Sequence, residues 1–361
     1  MKVLHLISSL GIGGAEKFVV DLSKQMALEN TVSVLVLDDA KDIGKDEKYA
    51  SNLLHELECA GVKVYFVGAN ARSKPITIFT TLIKIIRTQK PDIIHSHLLI
   101  WSFFLSMIPF SSNKHIFTQH TNRLKLSWLH KIWLKYRIIG YVSICSNIFD
   151  TLDSKTKVTN IKQINNGVDL SRFPLSTRCS TSHKPLRFVT VSRLNDVKNH
   201  KLILDAVYLI KDKINIDFKV NIVGDGPMLS ELTEIVRNND ISNYVDFLGQ
   251  RSDISNILNQ NDVFLLPSKA EGFSIALIEA LSSGIDIIAS DVGENRYILG
   301  DGLFGSIFES TDVEALANLM LSRIENGVMK RDFNLVSDHL QNFSISFSSN
   351  EHMRFYEETL Q

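Results

Sequence analysis

Cysteine is scarce: the 361 residues hold three, Cys59, Cys145 and Cys179, an odd number with no C-x-x-C spacing. That excludes a disulfide framework and a cysteine-rich zinc site, and it fits a reducing compartment. No D-x-D pair occurs, so the carboxylate pair that presents a divalent cation to a diphosphate is missing. A membrane span is missing too. The most apolar segment, LLIWSFFLSMIPF (98–110), has 13 residues and reads as a core or interfacial helix. The start, MKVLHLISSL, lacks the long apolar core and small-residue cleavage site of a signal peptide, and reads as a buried first strand.

Net charge is nearly absent, at −1, which excludes nucleic acid as the main partner. One long stretch lacks charge of one sign. From Ile93 to Phe149 there is no Asp or Glu, while Lys114, Arg123, Lys125, Lys131, Lys135 and Arg137 fall inside it with Trp128, Trp133 and Tyr136. A basic, aromatic face at 114–137 on an otherwise neutral chain fits docking on an anionic membrane surface. An amphipathic helix with solvated bases is the alternative.

What is present is ordinary for a globular protein: 44% hydrophobic and 22% charged residues, in a length that holds two domains. VLHLI (3–7), VSVLVLDD (32–39), VKVYFV (62–67), PDIIHSH and KHIFTQH (114–120) read as strands, with helical patterns at 15–28 and in PITIFTTLIKIIRTQ. The polar stretch 175–185 reads as a linker. Strands then resume with LRFVTVS (186–192), FKVNIVG, VDFLG, DVFLLP and DIIAS, again alternating with helical patterns, and the tail ends in one. The alternation predicts an α/β chain of two doubly wound, Rossmann-like domains with parallel sheets. Ligands of such sheets bind at the carboxyl ends of the strands, which predicts a cleft there.

Four constellations fall at strand ends. LGIGGAEK (10–17) is a glycine turn before a helix, where a backbone can approach an anion. Glu16 stands where a dinucleotide fingerprint needs a third small residue, although Asp38 keeps that reading open. VSRLNDVKN (191–199) places Arg193 and Lys198 on one loop, a fork and a point charge suited to a diphosphate or simply two surface bases. SKAEGFSIALIEALSSG contains Glu271 and Glu279. Ser268 and Glu271 fit a helix capping box. Glu279 sits among apolar neighbours, and a buried carboxylate there needs a partner such as a hydroxyl-rich ligand. His95, His97 and His120 end two strands; they fit a metal, or neutral rings hydrogen-bonded to a ligand.

In order and spacing, GGAEK, IIHSHL, FTQHTN, INNGVDLSRF, VSRLNDVKN, IVGDGP and the E-x7-E of EGFSIALIE resemble a family-4 retaining glycosyltransferase of GT-B architecture, of the bacterial surface-polysaccharide type, over nearly the whole chain. The resemblance implies an acceptor-side domain at 1–170, a nucleotide-sugar domain at 171–342, and a last helix at 343–361 that returns to the first. It implies transfer of a sugar from a nucleotide-sugar donor, a UDP-sugar foremost, to a saccharide or lipid-linked saccharide, with no metal and no cofactor. By position, Glu279 would bind the donor ribose. Glu271 and the backbone of Gly272, Phe273 and Ser274 would hold the sugar. Arg193 and Lys198 would neutralise the diphosphate, Gly14 would approach it, and His120 would face the transferred sugar. His97 and Asn122 fall on the acceptor side. The implied setting is cytoplasmic, peripheral on the inner face of the membrane. Two departures stand out: Asp286 replaces a usual proline, and GENRY (293–297) replaces a usual Gly-Gly-Glu. A nucleotide-sugar epimerase of the same architecture and an NAD-dependent oxidoreductase remain as rivals.

Overall fold

The structure is a computed structural model that describes residues 1–11, 13–44, 46–108, 114–120, 138–146, 149, 160–175, 185–213 and 216–361. Asn122, Cys179, the bases between 121 and 137 and most of the expected linker lie outside these residues. Two compact units result: residues 1–169 with 343–361, and residues 170–342.

The first unit is built on β1 (Lys2–Ile7), β2 (Thr31–Val36), β3 (Lys63–Phe66), β4 (Ile93–Ser96), β5 (Lys114–Gln119), β6 (Gly140–Ser143) and β7 (Ile161–Gln163), in the order β3-β2-β1-β4-β5-β6-β7. All pairs are parallel. With helices on both faces, the central strands are apolar along their length rather than alternating. β1, KVLHLI, is buried at every position after Lys2, and His5 pairs in register with His95 of β4. The core gathers Leu4, Leu6, Leu35, Leu82 and Ile94 around Trp101, whose indole N–H donates to the Ile7 carbonyl at 3.2 Å. Trp101 belongs to a short helix, Leu99–Ser106, which buries Trp101, Ser102, Phe104 and Leu105 and leaves Phe103 exposed, so the most apolar segment is in part a core element. Strand order reverses between β1 and β4, which makes their carboxyl ends the crevice of this sheet.

The tail belongs to this unit. Ser344 bridges Val168, and Ile345–Leu360 is a helix that buries His352, Phe355 and Tyr356. Gly167 explains itself here: a Cβ on it would lie 2.7 Å from Ile345 Cα and from the Ser344 carbonyl.

The second unit repeats the plan with β8 (Leu186–Val191), β9 (Phe218–Val223), β10 (Val245–Gly249), β11 (Val263–Leu266), β12 (Asp286–Ser290) and β13 (Ser306–Phe308), all parallel in the order β10-β9-β8-β11-β12-β13. Phe188, Val220, Ile222, Val263 and Leu265 pack with Ile203, Val207, Leu316 and Met320. Its reversal lies between β8 and β11. Asp286 has a structural use at the start of β12: buried, it accepts from Arg323 Nε at 2.6 Å and from the Met329 N–H at 2.8 Å.

Candidate active site

In the second unit the loops after β8 and β11 meet at the reversal. The β8 loop runs through Arg193 and a turn of 3-10 helix, Asp196–Lys198, capped by Asn195, whose side chain accepts the Lys198 N–H. Asn199 then takes a left-handed conformation (φ 54°), and its amide donates to the carbonyls of Pro267 and Ser310, both at 3.2 Å. The Lys269 N–H reaches back to the Val197 carbonyl at 2.8 Å. These bonds bring Lys198 Nζ to 2.6 Å from Glu271 Oε1. The same oxygen accepts from Ser268 Oγ at 2.6 Å. Ser268 is therefore not a helix cap. The helix starts later, at Ile275, with Ser274 as its N-cap residue. Ser274 Oγ is buried without a hydrogen-bond partner among the described residues.

Arg193 is exposed, and its guanidinium has no ion-pair partner among the described residues. Phe273 is buried, Gly272 half-buried. Glu279, expected to be buried, is half-buried: its helix turns an edge to solvent at Ile275, Ala276 and Glu279 while Leu277, Ile278, Ala280 and Leu281 face the core. The departure at GENRY leans on the same turn. The Glu294 N–H donates to the Gly272 carbonyl at 3.2 Å. Gly293 has φ +56°, and a Cβ there would lie 2.4 Å from the Glu271 carbonyl oxygen. A side chain at 293 would thus push Glu271 away from Lys198.

In the first unit, Gly14 is the exposed first residue of helix Gly14–Met26, which follows β1. Glu16 folds back beside Gly13 and accepts from Ser8 Oγ at 3.0 Å. Asp38, the residue that kept a dinucleotide open, is forked by Arg72 through contacts of 2.9–3.1 Å. Its carboxylate is already committed to a guanidinium.

His97 directly follows β4, which flanks the reversal, and His120 directly follows β5. The structure joins them: His97 Nδ1 and His120 Nε2 are hydrogen-bonded at 2.9 Å. Sequence reasoning missed His5 and His352. His5 Nδ1 is hydrogen-bonded to His97 Nε2 at 3.1 Å, and the His352 Nδ1–H donates to the Ser348 carbonyl at 2.8 Å. His95 bonds the hydroxyls of Tyr356 and Thr118, each at 2.6 Å. The signal for His5 was its place in an apolar strand beside β4. His352 comes from the tail, which no local pattern ties to β4.

Burial keeps these rings neutral, lowering His5 to about 3 and His120 and His352 to about 4, with His95 and His97 also well below the ordinary range. The ligand atoms of His5, His95 and His97 lie within 4.8 Å of one another, close enough for one cation. Both nitrogens of His95 and His97 and Nδ1 of His5 are nevertheless held in hydrogen bonds that a metal would have to break.

Residues 12–172 match the family described as Glycosyltransferase Family 4, and residues 178–335 match Glycosyl transferases group 1. Among similar proteins is the UDP-Gal:alpha-D-GlcNAc-diphosphoundecaprenol alpha-1,3-galactosyltransferase of Escherichia coli, 27% identical over 313 residues, covering 78% of this chain and 79% of that one. The capsular polysaccharide biosynthesis glycosyltransferase CapH of Staphylococcus aureus is 24% identical, covering 82% and 83%. Among solved structures, Anabaena HepE in complex with UDP-glucose superposes with a TM-score of 0.80 at 18% identity, covering 100% of this chain and 99% of that one. Such a likeness shows the fold, GT-B.

Proposed function

The chain belongs to glycosyltransferase family 4, and on that footing we propose that it transfers a hexose from a UDP-sugar to a saccharide carried on a lipid diphosphate, with retention at the anomeric carbon. The observation that carries this is the second unit's reversal, where Lys198 and Glu271 are paired and the loop that brings Lys198 there also carries an exposed Arg193. Two cations with one carboxylate suit a diphosphate joined to a polyhydroxylated sugar.

In this reading Arg193 and Lys198 stabilise the charge that grows on the leaving diphosphate, the largest electrostatic change in the step. The acceptor oxygen bonds to the anomeric carbon as the bond to the diphosphate oxygen breaks. The acceptor proton passes to the departing diphosphate on the same face, which retains configuration without a carboxylate nucleophile. Glu271 holds the sugar with the backbone of Gly272, Phe273 and Ser274, and Glu279 receives the ribose hydroxyls. Half-burial suits Glu279 for this, because an edge open to solvent is open to a ligand. On the first unit, Gly14 is assigned to phosphate, His120 to the sugar, and His97 and Asn122 to the acceptor side.

With no D-x-D in the sequence, the cations at the diphosphate are side chains and activity is metal-independent. The E. coli relative is named for a diphosphoundecaprenol-linked acceptor, which supports a lipid-linked acceptor here; a place at the cytoplasmic face of a membrane is part of the same proposal. No described helix is long and apolar enough to cross one, and the basic segment 114–137 is the proposed point of attachment.

The test mixes the protein with labelled nucleotide sugars, with and without a diphosphate-linked lipid saccharide, in EDTA and in Mn²⁺. Transfer only with acceptor, undiminished by EDTA and giving the donor's anomer in the product, is expected. Donor isomerised without acceptor points to an epimerase. Activity only with a nicotinamide points to an oxidoreductase, against which the Asp38–Arg72 fork already stands.

A further inference from the structure

The loop after β3 fixes an arginine at both ends of its side chain. It leaves the strand through Gly68 at φ 117° and turns through Asn70, in the left-handed region at φ 54°. Ser73 Oγ closes the turn by donating to the Asn70 carbonyl at 2.8 Å, and Ala71 is buried in the core of the first unit. Arg72 therefore starts from a set backbone. At its far end, Nε donates to Asp38 Oδ1 and Oδ2 at 3.1 and 3.0 Å, and Nη2 to Oδ2 at 2.9 Å. Asp38 is itself held: it is 4% exposed, and its N–H donates to the Ser8 carbonyl at 2.7 Å, just past β1.

This fork spends one edge of the guanidinium, Nε and Nη2. A guanidinium has five N–H donors, and Nη1 with the outer N–H of Nη2 makes a second edge. Nη1 has no partner among the described residues, and the Arg72 side chain is 63% exposed, so that edge is open. Two parallel N–H groups match a carboxylate or phosphate oxygen pair, and a fork already oriented loses little freedom on binding one. The surroundings favour an anion. From Cys59 to Pro91 there is no Asp or Glu, while Lys63, Lys74, Lys84, Arg87 and Lys90 join Arg72 there. The helix that follows, Pro75–Gln89, has no acid in its first turn, so its amino end adds to the positive field. Asp39 and Asp42, the acids of the loop after β2, accept the backbone N–H groups of Lys41 and Asn70.

The loops after β1, β2 and β3 lie at the carboxyl end of the sheet, where its ligands bind, and β2 lies next to β1 at the reversal. We propose that the open edge of Arg72 is an oxyanion subsite for the acceptor, taking the diphosphate that joins the saccharide to its lipid, with Asp38 as the positioning residue that sets the fork. The diphosphate rests on the functional reading above; the open, pre-set fork does not.

The test compares three acceptors: the saccharide on a short-chain lipid diphosphate, the same saccharide as a neutral alkyl glycoside, and a neutral alkyl glycoside of a saccharide bearing a uronic acid. The wild type should favour the diphosphate over the neutral glycoside in kcat/KM. Arg72→Gln should cut that preference about ten- to a hundredfold, the worth of hydrogen bonds to a charged group, and act through acceptor KM. Arg72→Lys keeps the charge without the fork and should fall between. Asp38→Asn should raise KM for the diphosphate-linked acceptor with donor KM unchanged. UDP affinity and thermal midpoint check that each variant is folded. Calorimetry of the diphosphate-linked acceptor onto UDP-saturated protein reads the subsite without turnover, and Arg72→Gln should weaken it by the same factor. No preference in the wild type, an undiminished one in Arg72→Gln, or an equal loss on the diphosphate and neutral acceptors overturns the subsite. A preference for the uronic acid alone, removed by Arg72→Gln, overturns the diphosphate as its occupant. Absence of transfer to every acceptor is the separate failure of the functional reading, and calorimetry then decides the subsite by itself.

Discussion

Lys198 and Glu271 neutralise each other across the reversal between β8 and β11, Nζ to Oε1 at 2.6 Å. Under the proposed reading, a donor diphosphate would compete with this carboxylate for the ammonium, and the pair would hold the lysine in place beforehand. Lys198→Ala should remove a pre-organised charge from the leaving group and lower kcat by a factor of about 10²–10³, roughly 3–4 kcal/mol. Arg193→Lys should also slow transfer, because a planar fork is exchanged for a point charge. Steady-state kinetics with an unchanged thermal midpoint would support this. Wild-type kcat in Lys198→Ala would remove the diphosphate role.

Glu279 is assigned to the ribose, which changes little between ground and transition states. Glu279→Gln should therefore raise donor KM more than it lowers kcat. Titration calorimetry with UDP gives the same answer without turnover. Equal UDP affinity in variant and wild type would return Glu279 to a structural role.

The buried rings make stability depend on acid. His5 is lowered to about 3, and His120 and His352 to about 4, mainly by burial. In the unfolded chain each takes a proton near the ordinary value of about 6.5. The contribution is fully present above that pH and is lost as pH falls toward 4. Between pH 7.5 and 5.5 the loss should be about 1.4 kcal/mol per ring, on the order of 4 kcal/mol for the three. Urea midpoints at the two pH values measure it. A midpoint independent of pH over that window would mean the rings are not held neutral.

Replacing Lys125, Lys131, Lys135 and Arg137 with Gln should weaken binding to anionic vesicles, each base being worth about 1 kcal/mol near the surface. Activity on a water-soluble acceptor analogue should stay near normal. Vesicle co-sedimentation across salt concentrations is the measurement. No binding by the wild type, or equal binding by both proteins, would make the segment a solvated face.

Long elements with a clear period were legible. The apolar runs at 3–7, 186–192 and 286–290 are strands, and the helical patterns after β1, β3 and β8 are helices, because burial on both faces or on one stripe writes itself into local order. β6, β7 and β13, of three or four residues each, escaped notice. The burial of the E-x7-E pair was not legible. Its apolar neighbours implied a buried Glu279, whereas the helix keeps one edge at the surface. The capping box failed for a similar reason, since Ser268 found a nearer use in holding the Glu271 carboxylate. The histidine chain was half legible, because His97–His120 joins strand ends but His5 and His352 reach it through sheet register and the tail.

That tail has a consequence for synthesis. Phe343–Gln361 completes the unit begun by Met1–Asp169, and all of Leu170–Asn342 is made between them. The first unit therefore waits on the ribosome with its histidine side uncovered, lacking His352, Phe355 and Tyr356, while the second has every residue it needs to close. Order of completion is the reverse of order of translation. A chain cut short before the last helix would have a finished second unit and an unfinished first.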